Sequence, residues 1–134
     1  MNDLDITAIT AAAHQAGIDA VAALTVTPMI VGEAKSILSN EIDYSKPTEY
    51  VADGPCGFAW VDIRPIHKGN TKLGKAERKV YESMGFSKDE YKKCYSLWIG
   101  LFNQSVQKKS TYAAAYAEVL RGNGIPAYSG SRMD

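Results

Sequence analysis

Two stretches in the second half of the chain alternate between apolar and polar positions, the pattern of a strand with two different faces. They span residues 57–64 and 93–101. A further short apolar run predicts a last strand at 125–129. These three strands are expected to form one small sheet.

The segments between the strands have apolar residues at helical spacing. Apolar residues three and four positions apart predict a helix at 73–84, ended by Gly85, and a helix at 105–120. The resulting order, β-α-β-α-β, predicts an α+β sheet with both helices on one face.

The first part of the chain follows a different pattern. Residues 5–24 are rich in alanine and predict a helix with a flat apolar face, suited to packing on a sheet or on a copy of itself. Residues 25–54 show no sustained period beyond one short strand within 26–31, and are expected to wrap irregularly around the body. We therefore predict a single α+β domain over residues 1–134, made of the 1–24 helix, the 25–54 wrap and a 55–134 body.

The composition limits the class of protein but does not indicate a function. The 134 residues are 46% hydrophobic, with no apolar run near the roughly 20 residues that cross a bilayer. The N-terminal residues are acidic, and the two cysteines form no CxxC pair, so a reducing cytosol is expected. Net charge is zero, yet residues 1–56 carry eight acids against two bases (net −6) and residues 57–134 seven acids against thirteen bases (net +6). The two halves either attract each other within one fold, or the second half presents a basic working surface.

The alternation of the first strand separates two sets of side chains. Ala59, Val61 and Ile63 form an aliphatic face for the helices, and the opposite face carries larger and polar groups. The candidate binding residues on that face are Phe58, Trp60, Arg64, Trp98, Tyr128 and Arg132. Aromatic and arginine side chains on an open sheet stack unpaired bases, and the same residue types dominate protein interfaces. The alternative is that the N-terminal helix covers this face and makes its rings part of the core.

Catalytic and metal chemistry find little support. Cys56 lies in a Gly-Pro turn with His67 eleven positions later, which leaves a thiol enzyme as a remote alternative to a small buried cysteine. The histidines and cysteines lack zinc spacing, and no phosphate-binding glycine loop occurs. Lys72, Lys75 and Lys79 share one helix face, which either is simply solvated or meets phosphates. No catalytic residue, cofactor or metal is expected.

Two regions of the chain have a distinctive sequence. The first region is 50–63 (YVADGPCGFAWVDI), and the second comprises Gln104-Ser105, Lys108-Lys109, 112–120 (YAAAYAEVL), 124–128 (GIPAY) and the terminal 131–134 (SRMD). Together they resemble a group of small proteins of tailed bacteriophages that have no assigned function. The resemblance implies a phage origin and action in the bacterial cytoplasm or in the virion. It supplies no catalytic residues.

These observations favour a non-enzymatic binding protein that engages a host protein, a nucleic acid or a nucleotide through the aromatic face. A structural or assembly protein is the alternative, in which the N-terminal helix and the 25–54 segment reach neighbouring copies in a homo-oligomer or virion. No membrane partner is expected.

Overall fold

The computed structural model describes residues 3–24, 29–32, 48–51, 56–102 and 105–133. The elements are α1 (Asp3–Ala23), β1 (Met29–Gly32), β2 (Thr48–Val51), β3 (Gly57–Ile63), α2 (Lys72–Ser83), β4 (Ser87–Asp89), β5 (Cys94–Trp98), α3 (Val106–Gly122) and β6 (Ala127–Met133). This arrangement confirms the α+β class. Most of the predicted 25–54 wrap lies outside the described residues, and within it β1 and β2 pair antiparallel.

The main sheet has the order β4-β5-β3-β6, and all its neighbouring strands are antiparallel. β3 is central and pairs over its whole length with β6, from Gly57 opposite Met133 to Ile63 opposite Ala127. The predicted three strands are therefore present, and β4 adds a fourth at one edge. β6 begins two residues after the predicted start at 125. It extends beyond the predicted end at 129, because its polar second half also pairs with β3.

One face of this sheet forms one side of the hydrophobic core. Ala59, Val61 and Ile63 are fully buried and belong to one cluster with Ala113, Ala117 and Leu120 of α3. α2 lies on the same side, since the ring of its Tyr81 is 5.9 Å from that of Tyr95 in β5. Both predicted helices thus pack on one face of the sheet.

α1 packs on α3, and this contact is the most extensive one between described helices. Gly17 lies so close to the Tyr112 ring that a Cβ would clash with it, and His14 Nδ1 is 2.6 Å from the Tyr112 hydroxyl oxygen. The sequence-based alternative, in which the N-terminal helix covers the aromatic face, is therefore wrong for α1: its apolar face is buried on α3, across the sheet from that face.

Helix boundaries follow from their caps. Thr71 Oγ1 accepts a hydrogen bond from the Gly74 amide at 3.0 Å, and Ser105 Oγ accepts one from the Lys108 amide at 3.2 Å. α2 ends before Gly85, which has a φ of 94° that favours glycine. None of the helices in the described ranges is both long and apolar enough to cross a lipid bilayer.

Candidate functional site

Three aromatic rings form a cluster on the face of the sheet opposite α3. Trp60 lies directly across from Trp98, and residues opposite each other in an antiparallel pair share a face. The two indole centroids are 5.1 Å apart, and the Phe58 ring lies 6.0 Å from that of Trp98 in an edge-to-face arrangement. Phe58 and Trp60 are half-buried, whereas Trp98 is 51% exposed. We call these three residues the aromatic cluster.

The position of the Trp60 indole depends on a glycine in the neighbouring strand. Gly130 is opposite Trp60 in β6, and a Cβ at Gly130 would lie 2.5 Å from Trp60 Nε1. The indole therefore extends sideways over β6, where only a residue without a side chain leaves room. Together, Trp98 and Trp60 cover the three strands β5, β3 and β6 with aromatic surface.

Cationic groups lie close to two rings of the cluster. Lys92 Nζ is 4.8 Å from the centroid of the Trp60 ring, and the Arg132 guanidinium carbon is 5.3 Å from that of Phe58. Lys109 Nζ also lies near Phe58, at 5.8 Å. These are cation–π distances, so the cations are attracted to the rings and held near the aromatic surface.

A hydrogen-bonded polar group borders the cluster on β3 and β5. Asp62 accepts hydrogen bonds from Lys92 Nζ at 3.0 Å and from Ser96 Oγ at 2.5 Å. Cys94 Sγ lies 3.7 Å from Ser96 Oγ, and burial raises the pKa of this thiol, which keeps it protonated. Asp62 therefore neutralises Lys92, and these groups form a structured border rather than a nucleophilic centre.

A depression of about 370 Å³ adjoins Trp98 between β4 and β5. The residues that line it are Ser87, Lys88, Asp89, Glu90, Tyr91, Ser96 and Trp98. The exposed indole thus adjoins a space large enough for a planar group, with hydroxyl, ammonium and carboxylate groups at its border.

The structure brings four of the six sequence-predicted binding residues together: Phe58, Trp60, Trp98 and Arg132. Tyr128 is opposite Asp62 on the same face, near the other end of β6, and its ring lies 5.6 Å from the Arg121 guanidinium carbon. Arg64 follows β3 directly and its side chain is exposed.

Sequence reasoning did not identify three residues of this face. Lys92 belongs to a lysine-rich stretch that resembles a solvated surface, and Gly130 resembles a turn residue. Lys109 carries no signal of its own, because burial on α3 is visible only once the helix is placed on the sheet.

The other candidates from the sequence are not assembled into a site. Cys56 precedes β3 and His67 follows it, and a strand of seven residues spans about 23 Å at about 3.3 Å per residue. Lys72, Lys75 and Lys79 are exposed on α2. Over the ranges that the structure describes, no three His, Cys, Asp or Glu side chains gather as a metal site would require.

Comparisons with protein-family models, with curated proteins and with solved structures found no match.

Proposed function

We propose that this protein is a non-enzymatic, phage-encoded binding protein of the bacterial cytoplasm, and that it binds unpaired nucleic-acid bases on the aromatic cluster. The observation that carries the proposal is the half-exposed indole of Trp98, which lies beside Trp60 in a cluster whose Phe58 ring has the Arg132 guanidinium nearby.

Stacking gives such a surface its affinity. Each base that stacks on an aromatic side chain contributes about 1–3 kcal/mol, with little dependence on sequence because every base has a π-face. Phosphates that follow the bases need nearby cations. Arg132 and Lys109 lie beside the Phe58 ring, and Arg64 is exposed just after β3. A flat sheet carrying rings and cations accommodates a single strand better than a duplex, whose bases are stacked inside.

The geometry gives less support to the two alternatives. A thiol enzyme needs a base beside its nucleophile, and β3 separates Cys56 from His67. The assembly hypothesis relied on the N-terminal helix and the 25–54 segment reaching neighbouring copies. The apolar face of α1 is already buried on α3 of its own chain, and most of the 25–54 segment lies outside the described residues.

The chain has two tryptophans, and both belong to the cluster, so intrinsic fluorescence reports directly on this face. We expect a single-stranded oligonucleotide of about ten residues to quench the emission, and a duplex of equal length to quench it much less. Trp98→Ala should weaken the binding of a labelled oligonucleotide, measured by anisotropy, about 5- to 140-fold, the equivalent of 1–3 kcal/mol.

Leu73→Ala is the matched control, because Leu73 is 64% exposed on α2, away from the aromatic face. Its affinity should equal that of the wild type. An absence of quenching by any single strand would refute the proposal. If the protein also sedimented as a defined oligomer, assembly would become the better hypothesis, whereas a host protein whose binding depended on Trp98 would identify a protein interface.

A further inference from the structure

Among the described residues, Lys109 is a buried cation with few partners. The residue is 5% exposed, and its Nζ donates one long hydrogen bond of 3.4 Å to the Gly57 carbonyl oxygen. A lysine ammonium has three N–H donors. No carboxylate of the described residues lies within ion-pair distance of it. Because a buried charge is costly unless it is paired, this arrangement calls for an anion.

A second cation lies beside the same ring. Arg132 is opposite Phe58 in β6, and its guanidinium carbon is 5.3 Å from the Phe58 centroid, against 5.8 Å for Lys109 Nζ. Unlike Lys109, the Arg132 side chain is exposed. The Phe58 ring thus has one buried and one exposed cation within 6 Å.

The beginning of α3 adds positive potential at this corner. Val106, its first residue, packs against Gly57 at the start of β3, so the helix N-terminus lies at the same end of β3 as Phe58 but on the core side of the sheet. An acidic residue in the first turn would complement the helix dipole, but α3 has none there and has Lys108 and Lys109 close to its start. The helix end therefore adds to the positive potential of Lys109 from the core side, whereas Arg132 lies on the aromatic side.

We propose that the Phe58 end of the aromatic face is a phosphate subsite for the strand that stacks on Trp60 and Trp98. Arg132 contacts the phosphate directly, and Lys109 supplies a second charge from beneath the surface. This inference rests on the proposed function, because stacking of the bases on the two tryptophans would place the nucleic-acid strand so that one of its phosphates reaches the subsite.

Phosphate, the anion that a nucleic-acid strand supplies, fits both groups. The guanidinium group presents a planar fork that matches two phosphate oxygens, and lysine acts on phosphate as a point charge. The distance from Phe58 to Arg64 along β3 is about 20 Å at about 3.3 Å per residue. At about 3.4 Å per stacked nucleotide, the face accommodates at most about six nucleotides between its two cationic ends.

The test is the salt dependence of binding to a ten-residue oligothymidylate, followed by anisotropy between about 50 and 200 mM salt. For single strands, the slope of log K against log salt changes by about 0.7 for each phosphate contact. We expect Arg132→Ala to reduce the slope by about 0.7. Lys109→Met, which keeps the buried stem without the charge, should also reduce it. Lys79→Ala, which removes an exposed lysine from α2, should leave the slope unchanged.

Urea denaturation distinguishes a structural role of Lys109 from a role in phosphate binding. The subsite predicts that Lys109→Met binds more weakly while its urea midpoint is unchanged or higher, because an underpaired buried charge is removed. A lower midpoint together with an unchanged slope would overturn the role of Lys109. Unchanged slopes in both variants would overturn the subsite while leaving the proposed function intact, and an absence of wild-type binding would remove both.

The source of the phosphate is resolved by repeating the titrations with a 5′-phosphorylated and a 5′-hydroxyl oligothymidylate. Equal effects of Arg132→Ala on both strands would assign the subsite to an internal phosphodiester. An effect confined to the phosphorylated strand would assign it to a terminal phosphate.

Discussion

Replacement of Gly130 by alanine tests whether the aromatic face is built as described. In a strand interior, glycine costs roughly 0.5–1 kcal/mol relative to alanine, so propensity alone predicts that Gly130→Ala stabilises the protein. The structure predicts the opposite sign. The added Cβ would lie 2.5 Å from Trp60 Nε1, 2.7 Å from Cε2 and 2.8 Å from Cζ2, so the indole has to move by about 1 Å to reach ordinary contact distance.

The magnitude follows from what holds the indole in place. Trp60 is packed against Trp98 and lies near Lys92, so the ring cannot move without disturbing both contacts. Overpacking of this kind costs about 1–3 kcal/mol. Against the propensity gain of roughly 0.5–1 kcal/mol, the free energy of unfolding falls by a net amount of up to about 2.5 kcal/mol, centred on about 1 kcal/mol. The displaced ring is also more exposed, so its fluorescence should shift to longer wavelength.

Urea denaturation followed by far-UV circular dichroism measures the stability, and emission spectra of the native state report the ring. Gly100→Ala is the matched control, because a Cβ at Gly100 meets nothing within 4 Å and its φ is not positive. That variant should be neutral or slightly stabilised. If Gly130→Ala were as stable as Gly100→Ala and its emission were unchanged, Trp60 would not lie over β6.

Two further predictions concern titration and thiol reactivity. Burial, with a smaller contribution from the nearby Tyr112, raises the pKa of Tyr116 from 10 to about 12, so the unfolded chain loses this proton first. The free energy of unfolding should therefore fall as the pH rises from about 10 towards 12. Tyr116→Phe should reduce this fall, which is measured as the change in urea midpoint across that pH range. An equal alkaline loss of stability in the variant would contradict the raised pKa of Tyr116. Cys56 is exposed, whereas Cys94 is buried and its pKa is raised. A thiol reagent such as dithionitrobenzoate should therefore modify one thiol rapidly in the native protein and both thiols in urea. Rapid modification of two thiols in the native protein would contradict the packing of β5.

The sequence predicted the division of the faces well, because β3 alternates without interruption. Ala59, Val61 and Ile63 are buried, and Phe58 and Trp60 lie on the opposite side. Helix limits were predicted to within about two residues, since Ser105 and Gly85 mark them chemically. Local patterns of this kind depend only on neighbours along the chain.

The remaining features depend on long-range packing. β4 is three polar residues, too short for any alternation to show, and it forms only because β5 offers an edge. The second half of β6, with Gly130 and Ser131, has the composition of a turn, and only its register with β3 makes it a strand. The partner of α1 was left open between a sheet face and a second copy of the chain, because an alanine-rich surface suits many partners. The close contact of Gly17 with Tyr112 selects α3 instead.

The pairing of β3 with β6 also has a consequence for biosynthesis. Seventy positions separate Trp60 from Gly130, its partner across the sheet. A ribosome adds about 5–20 residues per second, so about 4–14 seconds pass between the synthesis of the tryptophan and that of the strand over which its ring lies. During this interval the nascent chain carries an apolar strand whose edge towards β6 is unpaired, a form prone to aggregation and to capture by chaperones. The yield of folded protein should therefore depend on the speed of translation and on the chaperone supply of the cell.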